Sequence, residues 1–508
     1  MNQARTVGEL KKREYRNFSV KEEMRRNLIR MRKKGEELFP GIIGYDRTVT
    51  PALENAILSK HDFILLGLRG QAKSRILREL IRFLDKEIPV IVGCPINDNP
   101  IHPVCVPCKG LIAEKGDKVE IEWLPRERRY GEKLATPDVT MADLIGDIDP
   151  VKAASERIAL SDERVINYGI IPRSNRGIFA INELPDLPPR IQVGLLNILQ
   201  ESDVQIRSFT VRLPLDLLIV FTANPEDYTN RGNIISPLKD RLDAQIMTHY
   251  PKTLEDAKKI TDQEAWTKRD GGVQLIIPEY IQEIVERIAF EARKSDYVDQ
   301  SSGISSRVSI SALESLYSNL ERRAIVTGEE KVCARIVDLQ ATIPAVTGKI
   351  ELVYEGEQEG AYRVGKFLIG RALKEVFSNY FPDPHREIRT PKVSPTESKK
   401  SPQGEERSVY KPIVDWFSKR NRVQISDEMP FKEYAEILQK VDGLKEITTQ
   451  FLPVKGKEEL ATAMEFTLEG LCQNSILAKE DVEDKTSYRD MLMTMLGGMK
   501  EKESFFED

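Results

Sequence analysis

The 508-residue chain has no apolar run approaching the ~20 residues that a membrane-spanning helix requires. Its longest, LPLDLLIVF, is interrupted by Asp216, so no membrane span is expected. The stretch MNQARTVGELKKREYRN is charged throughout and lacks the apolar segment of a signal peptide. Cysteine is scarce: five in this length do not make a disulfide framework, and a reducing cytoplasm is the expected setting. A strong charge of one sign is also missing. With 76 basic against 81 acidic residues, the net charge of −5 gives no general pull toward nucleic acid. Internal repeats are absent. What is present, 40% hydrophobic and 31% charged residues, suits packed cores under a solvated surface. At this length about two to four domains are expected.

Hydropathy divides the chain into segments. Residues 1–38 are dominated by a charged helix, FSVKEEMRRNLIRMRKKGEEL, with Ser19 and Glu22 at capping-box spacing. That helix reads as a solvated element beside the main domain or, alternatively, as a nucleic-acid arm. From about 39 to 251, apolar runs alternate with helical patterns: DFILLG (62–67), IPVIVG (88–93), GIFAIN (177–182), LLIVFTA (217–223) and AQIMTH (244–249). Continuous apolar strands separated by helices predict an α/β fold with a parallel sheet covered on both faces. An insertion at about 95–170, rich in proline, glycine and charge, is too long for a simple connection. From 252 to 385 the pattern is helical, with Ile281, Ile284, Val285, Ile288 and Ala289 on one face of a helix opened by Pro278. Residues 386–407 read as a flexible linker and 408–508 as a small helical domain.

Three stretches carry chemistry. In FILLGLRGQAKSRILREL (63–80) a strand runs into a glycine-rich turn and then a helix. Gly67 and Gly70 allow backbone N–H groups to converge on phosphate oxygens, with Gln71 and Ala72 completing the turn. Lys73 can reach the β- and γ-phosphates, and the Ser74 hydroxyl can ligate magnesium. Ala72 stands where the phosphate-loop pattern asks for its second glycine; it keeps its N–H but restricts the turn. The next stretch ends a buried strand at Asn182-Glu183, the edge where open α/β sheets bind ligands. Glu183 is the candidate for polarising an attacking water; Asn182 offers magnesium-bound water a carbonyl oxygen where a carboxylate is usual. The third ends at Asn224, a second candidate for holding that water. It is followed by Arg241, an arginine of the kind offered to a neighbour's nucleotide. Arg307 opens a later helix and could reach back to phosphate. Either arginine alone also reads as a surface salt-bridge residue.

TPDVTMADLIGDID (136–149), INELPDLPPRIQVGLLNILQESDVQI (181–206) and FTANPEDYTNRGNIISPLKDRLD (221–243), taken together, resemble the MoxR and magnesium-chelatase (ChlI-like) branch of AAA+ ATPases. The resemblance spans roughly residues 40–340, and its motifs are specific as a set. It implies an AAA+ αβα nucleotide-binding domain followed by a helical lid, and ATP with Mg2+ as ligands. Ile43 and Gly44 would approach adenine, Lys73 and Ser74 the phosphates and magnesium, and Asn182-Glu183 would form the Walker B pair. Asn224 would be sensor 1, Arg241 the arginine finger and Arg307 sensor 2. A β-hairpin inserted near TPDVTMADLIGDID is implied as well. So are a homo-oligomeric ring, taken as a hexamer, and a partner carrying a von Willebrand factor A domain.

One further cluster stands apart. In GCPINDNPIHPVCVPCKG, Cys94, His102, Cys105 and Cys108 offer three thiols and an imidazole, a set that suits tetrahedral zinc. A metal-free loop in which Cys94 ends a buried strand is the competing reading, and redox chemistry a third.

The leading functional expectation is an ATP-hydrolysing machine that remodels or assembles a partner protein or metal-cofactor complex. A nucleotide-gated binding protein with little turnover is the alternative that Asn182 favours. An AAA+ transcriptional regulator of an alternative sigma factor is the third; its G-A-F-T-G-A loop and recognition helix are missing.

Overall fold

The structure, a computed structural model, describes residues 3–160, 162–201, 203–205, 212–225, 233–386, 408–482 and 485–491. Residues 387–407 of the expected linker and 492–508 of the expected C-terminal domain lie outside the described residues, as do 226–232 of the third motif. The chain divides into two compact units, Met1–Tyr250 and Pro251–Asp508.

The first unit is built on a five-stranded sheet: β1 (Phe63–Leu66), β2 (Tyr130–Leu134), β3 (Gly177–Asn182), β4 (Leu217–Ala223) and β5 (Ala244–Met247). Their spatial order is 5-1-4-3-2, and every neighbouring pair is parallel. β1, β3 and β4 are buried along their whole length, because helices cover both faces. Successive residues feed opposite cores. Ile64, Phe179, Ile181, Ile219 and Phe221 enter one; Phe63, Leu65, Ile178, Ala180, Leu218 and Val220 enter the other.

Four of the five apolar runs expected as sheet strands join this sheet. The fifth does not: Glu87–Ile91 pairs antiparallel with Ile121–Pro125 in a separate two-stranded ribbon, with its own small cluster of Ile88, Val90 and Leu124. The edge position is taken instead by β2, from inside the expected insertion. An edge strand needs little apolar surface, and the sequence YGEKL advertises none. At the end of TPDVTMADLIGDID, Gly146–Ile148 pairs antiparallel with Ile166–Tyr168.

The basic helix Val20–Lys34 has the expected capping box at Ser19 and Glu22 and a left-handed Gly35 at its end. It buries Val20, Met24, Leu28 and Met31 in the second core. Its Glu23 accepts from both terminal nitrogens of Arg129 at 2.7 Å, in an ion pair almost wholly out of water. A helix tied down by such a pair is part of the domain, not a free arm.

The second unit has one core. Helix Glu279–Ala292 buries the five face residues named above. Arg307–Thr327, Ala361–Tyr380 and Lys457–Gln473 pack into the same cluster. Tyr280 stacks on Phe466 at 4.9 Å, and Phe377 meets Phe466 edge-on at 5.8 Å. The expected division into a lid and a separate small domain is therefore crossed by a shared core. The C-terminal part is also not purely helical: Val423–Ser426, Lys485–Asp490 and Leu477–Val482 form an antiparallel sheet in that order. Among the described residues no helix is long and apolar enough to cross a membrane.

Candidate functional site

In-register parallel pairing ends β1, β3 and β4 at one edge of the sheet, with Leu66 opposite Ala223. The loop after β1 is folded tightly. A side chain on Gly67 would collide with the Thr248 hydroxyl and the Gln71 side chain, so only hydrogen fits there. Gly70 is left-handed, with φ 75°. Ala72 is left-handed as well, at φ 58°, ψ 15°, and immediately precedes the helix Lys73–Glu79. The loop thus adopts a shape that glycine would take more easily, at a cost of about 1 kcal/mol for the alanine. Gln71 is packed inward, its side-chain oxygen accepting from Thr248 at 2.6 Å while its carbonyl accepts from the Tyr45 hydroxyl at 3.0 Å.

Lys73 is buried, and its ammonium donates to the carbonyls of Gly67 and Leu68 and to Asn224 Oδ1 at 2.6 Å. A buried cation gains from an incoming anion. Beside it, the Ser74 hydroxyl donates to Asn182 Oδ1 at 3.4 Å. Thr222 donates to that same oxygen at 3.2 Å and accepts from the Glu183 N–H at 3.0 Å. Glu183 itself sits in the left-handed region, φ 56°, where β3 turns out of the sheet. Strained backbone of this kind collects at functional sites.

The structure adds a residue that sequence reasoning missed. Glu132, on β2, accepts from Asn182 Nδ2 and pairs with Arg78 at 2.9 Å. That bond fixes the amide so that Oδ1, not the NH2 group, faces Ser74. A carboxylate therefore does stand at this corner, one strand away from its expected place. No signal in YGEKL could have announced it, since β2 itself was not legible.

The other expected residues are placed as follows. Ile43 and Gly44 lie in the turn before Tyr45, with Gly44 left-handed at φ 81°. Arg241 ends the short helix Ser236–Asp240, and its guanidinium donates to Gln200 Oε1 at 2.9 and 3.1 Å and to the Pro237 carbonyl. Arg307 starts the long helix of the second unit.

In the cysteine cluster, Cys94, Cys105, Cys108 and Asp98 bring one donor atom each within 4.8 Å of one another. His102 is exposed and is not among them. The expected fourth member is thus replaced by Asp98, because the loop carrying His102 turns outward while Asp98 is drawn in by backbone N–H groups. The thiols act on one another: hydrogen bonds from Cys105 and then Cys108 pull the Cys94 thiol well down. Bonding to Cys108 and then to Cys94, followed by burial, pushes Cys105 up.

No protein-family profile matches the chain. It is 28% identical over 233 residues to the magnesium-chelatase subunit ChlI homolog of Methanocaldococcus jannaschii, covering 44% of this chain and 59% of that one. It is 26% identical over 242 residues to the magnesium-chelatase 38 kDa subunit of Cereibacter sphaeroides, covering 46% and 63%. The chain thus spans less than two thirds of the length of these relatives. Among solved structures, the complex of magnesium-chelatase subunits BchI and BchD matches at 18% identity and TM-score 0.34, covering 63% of this chain and 98% of that one. NtrX from Brucella abortus in complex with ADP matches at 14% and 0.33, covering 58% and 55%. Such low TM-scores leave the fold to be argued from the sheet itself. In sequence, the chain resembles the ChlI-like AAA+ ATPases.

Proposed function

We propose that the chain binds ATP at the carboxyl edge of β1 and hydrolyses it in a magnesium-dependent reaction, using the energy to remodel a partner protein or metal-cofactor assembly. The observation that carries this is the meeting of Lys73, Ser74, Asn182 and Asn224 where three adjacent parallel strands end. The loop's N–H groups and Lys73 would hold the β- and γ-phosphates. Lys73 would exchange the Asn224 oxygen for phosphate, freeing Asn224 to hold water. Glu183 would accept the proton of the water that attacks the γ-phosphorus, as the bond to the β–γ bridging oxygen breaks and ADP leaves.

The donor set fits magnesium: Ser74 and Asn182 present hard oxygens side by side, with the Glu132 carboxylate bonded to the same amide. Bound there, the ion would neutralise phosphate charge. Arg241 would act on the nucleotide of a neighbouring subunit, which demands head-to-tail contacts and hence a ring, six-membered by resemblance. Arg307 would sense the nucleotide from the helical unit, with Ile43 and Gly44 near the adenine. A von Willebrand factor A protein is the partner the resemblance supports, and the cytoplasm the setting.

Phosphate release tests this. Wild type should turn over ATP, Glu183→Gln should bind ATP without turnover, and Lys73→Ala should do neither. Asn182 favours a second reading, a nucleotide-gated binding protein. Saturable ATP binding with no turnover in wild type would move the assignment there.

A further inference from the structure

We propose that Cys94, Cys105, Cys108 and Asp98 form a structural zinc site in the first unit, unconnected with nucleotide chemistry. Three observations converge on it. First, the four donor atoms already lie within 4.8 Å of one another, and Asp98, Cys105 and Cys108 are buried. The Cys94 and Cys105 sulfurs stand 4.0 Å apart, a spacing that suits two ligands of one tetrahedral ion and is far too long for a disulfide.

Second, backbone N–H groups and a helix N-terminus face the sulfurs. The Asp98 N–H donates to the Cys94 sulfur and the Cys108 N–H to the Cys105 sulfur, both at 3.4 Å. Cys105 is the N-cap of the ten-residue helix Val106–Lys115, and Cys108 lies in its first turn. Backbone N–H bonds and a helix N-terminus both favour sulfur in its charged form.

Third, Asp98 is a buried carboxylate held in place beside the sulfurs. The N–H groups of Asn99, Val104 and Cys105 bond it through two contacts to each oxygen. One of its oxygens lies within 4.8 Å of all three sulfurs, so Asp98 both builds the loop and would close the coordination sphere. Four protein ligands leave no open position, which is the signature of a structural rather than a catalytic zinc.

The site would clamp the turn after the Glu87–Ile91 strand to the Val106–Lys115 helix. Asn97 bonds the Arg173 carbonyl at 2.8 Å and Asn175 the Ile96 carbonyl at 3.0 Å, so the clamp extends to the segment that enters β3.

Elemental analysis of the full chain, purified without chelator, should find about one zinc per chain. Zinc should be lost from Cys105→Ser/Cys108→Ser and kept in His102→Ala. Cobalt(II) refilling of wild type should give thiolate-to-metal charge-transfer absorption, a readout that survives even if the double variant fails to fold. The proposal is overturned by absence of that absorption, by iron with labile sulfide in place of zinc, by a Cys94–Cys105 disulfide, or by zinc content unchanged in the double variant. Loss of zinc from His102→Ala would overturn the assignment of Asp98 as the fourth ligand.

Discussion

Asn182→Asp would restore the residue usual at this position, yet in this chain it should do harm. The Asn182 NH2 group donates to Glu132, so the substitution sets one acceptor against another. Two carboxylates about 3 Å apart repel by about 5 kcal/mol at an effective dielectric constant of about 20. Arg78 pairs with Glu132 but is 64% exposed and offsets only part of this. One carboxyl of the pair can also take a proton. The expected net loss of stability is about 2–3 kcal/mol at pH 8, smaller at pH 5 where that proton is easily held. Asn182→Asp combined with Glu132→Gln exchanges donor and acceptor and should return to within about 1 kcal/mol of wild type. Because the charge then lies beside Ser74, half-maximal phosphate release should need less magnesium than in wild type. Urea unfolding with an unchanged m-value, followed by magnesium titration of turnover, measures both effects. If Asn182→Asp matches wild type at pH 8, or the double variant is no better than the single, Glu132 does not play the part assigned to it.

Ala72→Gly should stabilise the first unit by about 0.5–1 kcal/mol, since the left-handed loop position suits glycine, while leaving nucleotide binding intact; denaturation midpoints and an ATP titration check this. In the second unit, burial lifts the carboxyl of Glu465 from its ordinary 4.5 to about 7. The folded state then keeps a proton that the unfolded chain releases, so this stabilisation is complete below about pH 4.5 and is lost as pH rises through about 7, by up to about 3 kcal/mol. Hydrogen exchange of the Lys457–Gln473 helix should quicken from pH 5 to pH 8 beyond its intrinsic rise, and Glu465→Gln should flatten that change.

The parts of the fold legible in the sequence are those where burial forces a pattern. β1, β3 and β4 are covered on both faces, so their residues had to be apolar and their ends had to show. The Glu279–Ala292 helix was legible for the same reason, through its one-sided face. β2 was not, because an edge strand can be polar, and its Glu132 pairs with Arg78. The Glu87–Ile91 run misled for the opposite reason: it is apolar to fill its own ribbon. At the site, Lys73, Ser74, Asn182 and Asn224 announced themselves through strand ends, and the structure brings them into contact. Glu132 and Asp98 did not, since each acts through partners remote in sequence or through backbone N–H groups that no motif encodes. The shared core of the second unit was hidden likewise: Phe466 meets Tyr280 and Phe377 only after long-range packing.

The central claim, that triphosphate is held by the loop after β1, is tested most directly by calorimetric titration of the full chain with ATP and magnesium. Saturable uptake near one nucleotide per chain, weakened at least about 100-fold in Lys73→Ala, is the predicted result. No heat of binding in wild type, or the same affinity without the lysine, would contradict it.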